Sequence, residues 1–171
     1  MRAVTDELGF SALAPRRDLT ALRHDLGTVT VGTHIAAVFR TADHGRFSVE
    51  GRVRHDLTES VLKVGWCDLT SGKGSEPAAD LQQITPVADS TADDDTDAPD
   101  ALAVVVATLA RGDVVTAGFD FEGCGRFTIS GAVRQDALGT SWLVAGHIVA
   151  HGHIPAPRLR TLAAARNTAT S

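Results

Sequence analysis

The chain has no tyrosine, two tryptophans, six phenylalanines, one methionine and two cysteines in 171 residues. So few aromatic rings leave little to stack on bases, which argues against a single-strand nucleic-acid platform. The two cysteines do not occupy matching places in the internal repeat described below: Cys67 falls in a strand pattern and Cys124 in a turn. A disulfide that stabilised each repeat would occur twice, so both read as free thiols, and the expected compartment is the cytoplasm. Long apolar runs are missing too. The longest candidate, residues 101–110, falls well short of the roughly 20 apolar residues of a membrane helix, and no membrane association is expected. The opening MRAVTDELGF contains Asp6 and Glu7 and no secretory apolar segment. There is no G-x-S-x-G elbow, P-loop, dinucleotide fingerprint or papain-like surround for either cysteine. An enzyme with a site invisible in sequence is therefore only a second alternative, and no cofactor is expected.

What is present is a repeat. Residues 32–65 read GTHIAAVFRTADHGRFSVEGRVRHDLTESVLKVG, and residues 112–146 read GDVVTAGFDFEGCGRFTISGAVRQDALGTSWLVAG. At a constant offset of 80, Gly32, Phe39, Gly45, Arg46, Phe47, Gly51, Val53, Arg54 and Asp56 recur as Gly112, Phe119, Gly125, Arg126, Phe127, Gly131, Val133, Arg134 and Asp136. One added residue in the second copy then brings Leu62 onto Leu143 and Gly65 onto Gly146. Self-similarity on this scale decides architecture before single residues are considered. Each unit alone would bury a marginal core, so each is expected to lean on the other.

The net charge of −5 is concentrated. Asp89, Asp93, Asp94, Asp95, Asp97 and Asp100 fall in one stretch without a basic residue, while residues 1–87 hold ten basic and eleven acidic side chains. Residues 88–100 read as a solvated acidic linker. The expected organisation is an N-terminal extension over 1–15, a first repeat over 16–87, the linker, a second repeat over 101–162 and a fraying tail over 163–171.

Within each repeat, Leu19, Leu22 and Leu26 follow Pro15 at i, i+3 and i+7, the stripe of a short amphipathic helix. The corresponding Leu102, Val105, Val106 and Leu109 fit a helix or a strand, because the Val104–Val106 run is β-branched. Period two then takes over. Phe47, Val49, Gly51 and Val53 alternate with Arg46, Ser48, Glu50, Arg52 and Arg54, and Phe127, Ile129, Gly131 and Val133 repeat the pattern. That is a long half-buried strand, and the glycine on its inward face allows a bend or the close approach of another backbone. The next segments, residues 61–67 and 142–149, are apolar on both faces and are expected to pack the repeats together about an approximate twofold axis.

A helix followed by four or five strands, twice over, predicts a mainly β protein. The predicted form is a tandem pair of small SH3-like or Sm-like barrels with a short N-terminal helix. Residues 47–62, an apolar strand followed by Asp56 and a second apolar strand, resemble the Sm-like and KOW-type barrels, without the asparagine that an Sm pattern places after the aspartate. The resemblance implies fold alone.

The polar residues present twice, Arg46 with Arg126, Arg54 with Arg134 and Asp56 with Asp136, are the candidate binding set. Arginine forks suit phosphate or carboxylate. The bland alternative is cross-strand pairing within the sheet. His147, His151 and His153 are the one dense histidine group. With no cysteine or carboxylate close by in sequence, they read as a partly buried His147 and two exposed loop histidines, and no metal is expected. The expected function is a non-enzymatic adaptor or assembly component that binds another protein or itself, with nucleic acid as the alternative partner.

Overall fold

The computed structural model describes residues 17–72, 76–88 and 96–164. Each half begins with a helix. In α1 (Leu19–Thr28), the Asp18 carboxylate accepts the Ala21 N–H at 3.0 Å and caps the N-terminus. Leu22 and Leu26 are buried, whereas Leu19 stays largely exposed. In the second half the choice between helix and strand falls to helix: α2 spans Pro99–Ala107. Pro99 stands in its first turn, where a missing N–H costs nothing, and Leu102 and Val106 are buried one turn apart. Helical burial of these two positions outweighs the strand preference of the valines between them.

The first half continues with β1 (His34–Thr41), β2 (Gly45–Asp56), β3 (Val61–Val64), β4 (Cys67–Asp68) and β5 (Leu81–Pro86). The second half has β6 (Val114–Phe121), β7 (Gly125–Gln135), β8 (Ser141–Val144), β9 (His147–His151), β10 (Ile154–Pro155) and β11 (Leu159–Ala164). As the alternation predicts, Phe47, Val49, Gly51 and Val53 are buried on β2, and Phe127, Ile129, Gly131 and Val133 on β7.

The halves join through main chain. The long strands β2 and β7 pair antiparallel, Ser48 with Ser130, Val49 with Ile129, Glu50 with Thr128 and Gly51 with Phe127. Val49 and Ile129 are each other's repeat equivalents, so the ladder carries a local twofold axis through that one pair. Beyond it β2 changes neighbour, and Val53–Asp56 pair with β3 instead. Gly51 sits at the changeover, and a Cβ there would lie 3.0 Å from the Phe127 Cβ; the equivalent clash at Gly131 is 3.1 Å from the Phe47 Cβ. Both glycines thus admit the other half's phenylalanine.

Three sequence expectations are corrected. The eleven strands form one open sheet rather than two closed barrels. Each long strand commits its second edge to the other half and to the following hairpin, and among the described residues β4 pairs with β3 alone and no ladder closes either half. The halves are also not joined by the strands apolar on both faces: β3 and β8 extend the sheet outward from β2 and β7, and only side chains reach across from them. Finally, the second copy has no added residue. Val53 pairs with Val64 and Val133 with Val144, while Val64 pairs with Cys67 and Val144 with His147. The offset of 80 therefore persists, and Gly65 matches Ala145, both with positive φ of 59° and 49°. Two residues drop out only later, because Ala78 and Ala156 donate to the equivalent Leu69 and Val149 carbonyls at 2.9 Å.

The expected extension over 1–15 and most of the acidic linker lie outside the described residues. The linker's end is fixed in place: the Asp97 N–H donates to the Arg160 carbonyl at 2.8 Å, and its carboxylate accepts the Leu162 N–H at 3.1 Å. This covers part of the edge of β11, which would otherwise offer unpaired groups. The expected tail begins within β11, at Ala163 and Ala164.

Candidate functional site

The six repeated polar residues are dispersed, and five of them have local work. Arg54 donates through Nε and Nη2 to the Gly65 carbonyl at 3.0 and 2.7 Å, fastening β2 to the β3–β4 turn. Arg134 donates to the Asp43 carbonyl in the β1–β2 turn of the other half. Asp56 accepts the Thr58 and Glu59 amides at 2.9 and 3.1 Å, and Asp136 accepts those of Thr140 and Ser141 at 2.7 and 3.2 Å. These bonds, the Glu59 amide first for Asp56 and the Thr140 amide first for Asp136, hold both carboxyls below their ordinary range. Arg126 donates to the Thr96 hydroxyl at 3.2 Å and stands opposite Asp120 across the β6–β7 ladder. Its counterpart Arg46 stands opposite Arg40, a like-charge pair, and has no hydrogen bond or ion pair among the described residues.

The histidines do not converge. His147 is half-buried among Phe119, Phe127 and Trp66, with ring centroids 5.7–5.9 Å away. The Nδ1 lies 3.2 Å from the Ala145 carbonyl and donates to it, which leaves Nε2 buried without a partner. Burial, with the nearby His44 as a smaller contribution, lowers its proton affinity below the ordinary histidine value, partly offset by the Ala145 carbonyl. The His151 Nδ1 lies 2.8 Å from the Ser141 hydroxyl, directly opposite it on the β8–β9 ladder. Among the described residues, no carboxylate joins the imidazole of this serine–histidine contact. The hydroxyl belongs to a buried residue, and Asp136 holds the serine amide rather than the imidazole. Among the described residues no three His, Cys, Asp or Glu side chains are placed to hold a metal ion.

Register brings two equivalent clefts into view, one in each half. In the first, Thr41, Cys67, Asp68, Asp80 and Lys63 line a space of about 570 Å³ together with Trp66, Phe39 and Phe47. The Lys63 ammonium lies 2.6 Å from Glu59, 3.4 Å from Asp68 and 3.5 Å from Asp56. Glu59 first, and then Asp68, raise its proton affinity against the opposing effect of burial. Burial also pushes the Cys67 thiol up to about 11, leaving it protonated and unreactive at neutral pH.

The second cleft holds about 370 Å³. Phe121 stands there for Thr41, His147 for Cys67 and Ile148 for Asp68, while Arg158 replaces Asp80 and Leu143 replaces Lys63. Trp66 reaches in from the first half, its ring centroid 5.0 Å from that of Phe121. It remains 54% exposed and Ile148 39% exposed, so the apolar wall is open to solvent. Where the second half would carry its own tryptophan there is Gly146, and a Cβ on it would lie 3.1 Å from the His44 ring. Sequence reasoning missed this site because Trp66 and Phe121 belong to different repeats. The available signal was polarity exchange between equivalent positions, which appears only in the correct register.

Comparison with protein families, with curated proteins and with solved structures finds no match to this chain.

Proposed function

We propose that the protein is a non-enzymatic interaction module, an adaptor or assembly component, acting in the cytoplasm through contact with another protein. One observation carries this reading: the solvent-open aromatic cleft at the junction of the halves, with Trp66 and Ile148 exposed on its wall. A contiguous exposed apolar surface is costly to maintain in water and marks a contact site, and buried tryptophans dominate the energetics of interfaces that use them. The equivalent cleft shares Trp66 and has Phe39 and Phe47 in its lining, but it sets the charged cluster of Lys63, Glu59 and Asp68 beside them, where the second cleft has Phe121 and Ile148. Of the arginine set, Arg46 retains an unengaged guanidinium for a partner's acidic group, while Arg54, Arg134, Asp56 and Asp136 serve the fold.

Photocrosslinking in the native host tests the reading, with benzoylphenylalanine in place of Trp66, Ile148 or, as a control, Asp68. A discrete protein adduct from positions 66 and 148 but not from 68 is expected, unchanged by nuclease. Adducts with nucleic acid alone, or none from either cleft position, would remove protein contact at this cleft.

A further inference from the structure

The second cleft differs from its counterpart in charge as well as in polarity, and the difference points to what occupies it. At the rim, Arg158 stands where the first half has Asp80. Its side chain is exposed and has no hydrogen bond or ion pair among the described residues, although its carbonyl accepts the Asp120 N–H at 3.1 Å. Behind it the walls are rings and small apolar groups, with Phe121 and Trp66 set at 46° to one another. The walls therefore offer two inclined ring faces, and the mouth offers one uncommitted guanidinium.

We propose that this cleft receives an aromatic side chain of a partner protein, with a carboxylate one residue away that pairs with Arg158. This rests on the protein-interaction reading above and adds the chemistry of the anchor. An aromatic ring fits because it stacks or meets Trp66 and Phe121 edge-to-face, contacts that add to simple area burial. A carboxylate fits because the guanidinium fork donates to it in bidentate fashion. The size suits one side chain rather than a long segment, since about 370 Å³ is at the small end of ligand pockets. The first cleft, with Glu59, Asp68 and Asp80, would repel the same carboxylate.

The test uses the full chain, labelled with nitrogen-15, and three synthetic peptides: acetyl-Gly-Asp-Trp-Asp-Gly-amide, its alanine-for-tryptophan analogue and its asparagine-for-aspartate analogue. The first peptide is expected to shift the Trp66 indole and the Gly146 and Ile148 amides. The alanine analogue should bind at least about tenfold more weakly, the loss typical of an interface anchor. The asparagine analogue should bind several-fold more weakly at low salt, and Arg158→Gln should erase that difference while leaving the tryptophan preference. Equal binding by all three peptides, shifts confined to other surfaces, or no shifts at millimolar peptide would each overturn the proposal. The peptide series runs on the unaltered protein, so a poorly folded variant does not decide the result. Should the crosslinks at positions 66 and 148 form while the peptides fail, the anchor chemistry falls alone; should the crosslinks also fail, the interaction reading falls with it.

Discussion

The two halves share a backbone plan, yet they have spent corresponding positions differently. Asp68, Asp80 and Thr41 in the first half become Ile148, Arg158 and Phe121 in the second, and Lys63 becomes Leu143. In the first half the β2–β3 hairpin is held by an ammonium among three carboxylates. In the second the cleft is backed by stacked rings, with Phe121 on Phe127 at 5.9 Å and on Phe119 at 5.7 Å. Phe119 and Phe127 are buried, and burying ring surface stabilises more than a partly exposed ion cluster of similar size. The second half should therefore contribute more of the common core, and the first more of the charge.

The largest expected effect tests that asymmetry. Phe127 touches rings on three sides and seats against both Gly51 and Gly65, whereas Phe47 stacks on Phe39 and meets His44 edge-on. Phe127→Ala should cost ~3–5 kcal/mol in urea unfolding. Phe47→Ala should cost about 1 kcal/mol less, since it leaves fewer rings without contacts. Equal costs would show that the two halves contribute symmetrically despite their chemistry.

A smaller effect, of opposite sign in the two halves, concerns the β3–β4 and β8–β9 turns. Gly65 and Ala145 occupy the same left-handed conformation, but a Cβ at Gly65 would lie 2.9 Å from the Phe127 ring. Gly65→Ala should destabilise by ~1–3 kcal/mol, mainly through overpacking. Ala145→Gly relieves a left-handed alanine and should raise stability by up to about 1 kcal/mol, less the added freedom of the unfolded chain. Thermal midpoints of the two variants, moving in opposite directions, would establish that one turn is relaxed and the other strained.

The sequence made the alternation of β2 and β7 legible, together with the use of Gly51 and Gly131 for close approach and the stripe of α1. Side-chain patterns carry all of these. The pairing of β2 with β7 is a main-chain ladder, and polarity does not say which strand supplies the N–H groups, so an open sheet and a pair of barrels read alike. The matching of Gly65 to Gly146 went astray for a related reason. Two identical glycines outweighed the register, and the chain instead tolerates Ala145 at positive φ. With that register lost, the exchange of Asp68 for Ile148 was hidden, and the cleft with it.

The subtlest contrast between the halves is a slope in pH. His147 replaces Cys67, and burial lowers its proton affinity below the ordinary value of 6.5, with the nearby His44 adding to the effect. The folded state therefore binds fewer protons than the unfolded chain once the pH falls below about 6.5, and stability must decline as pH drops from there. The Cys67 thiol, raised to about 11, titrates far from this window and contributes nothing to it. Asp56 and Asp136, both held below their usual 3.8, add stability above that value and withdraw it as pH falls through their folded-state values. Urea unfolding from pH 7.5 to 3 should show both limbs in the natural protein. In His147→Phe the upper limb, which begins below about pH 6.5, should flatten while the lower one persists. An unchanged upper limb would mean that the ring cage around His147 opens readily enough to admit a proton and its water. The aromatic wall would then be a mobile surface, whereas the acidic half keeps its hairpin through charge.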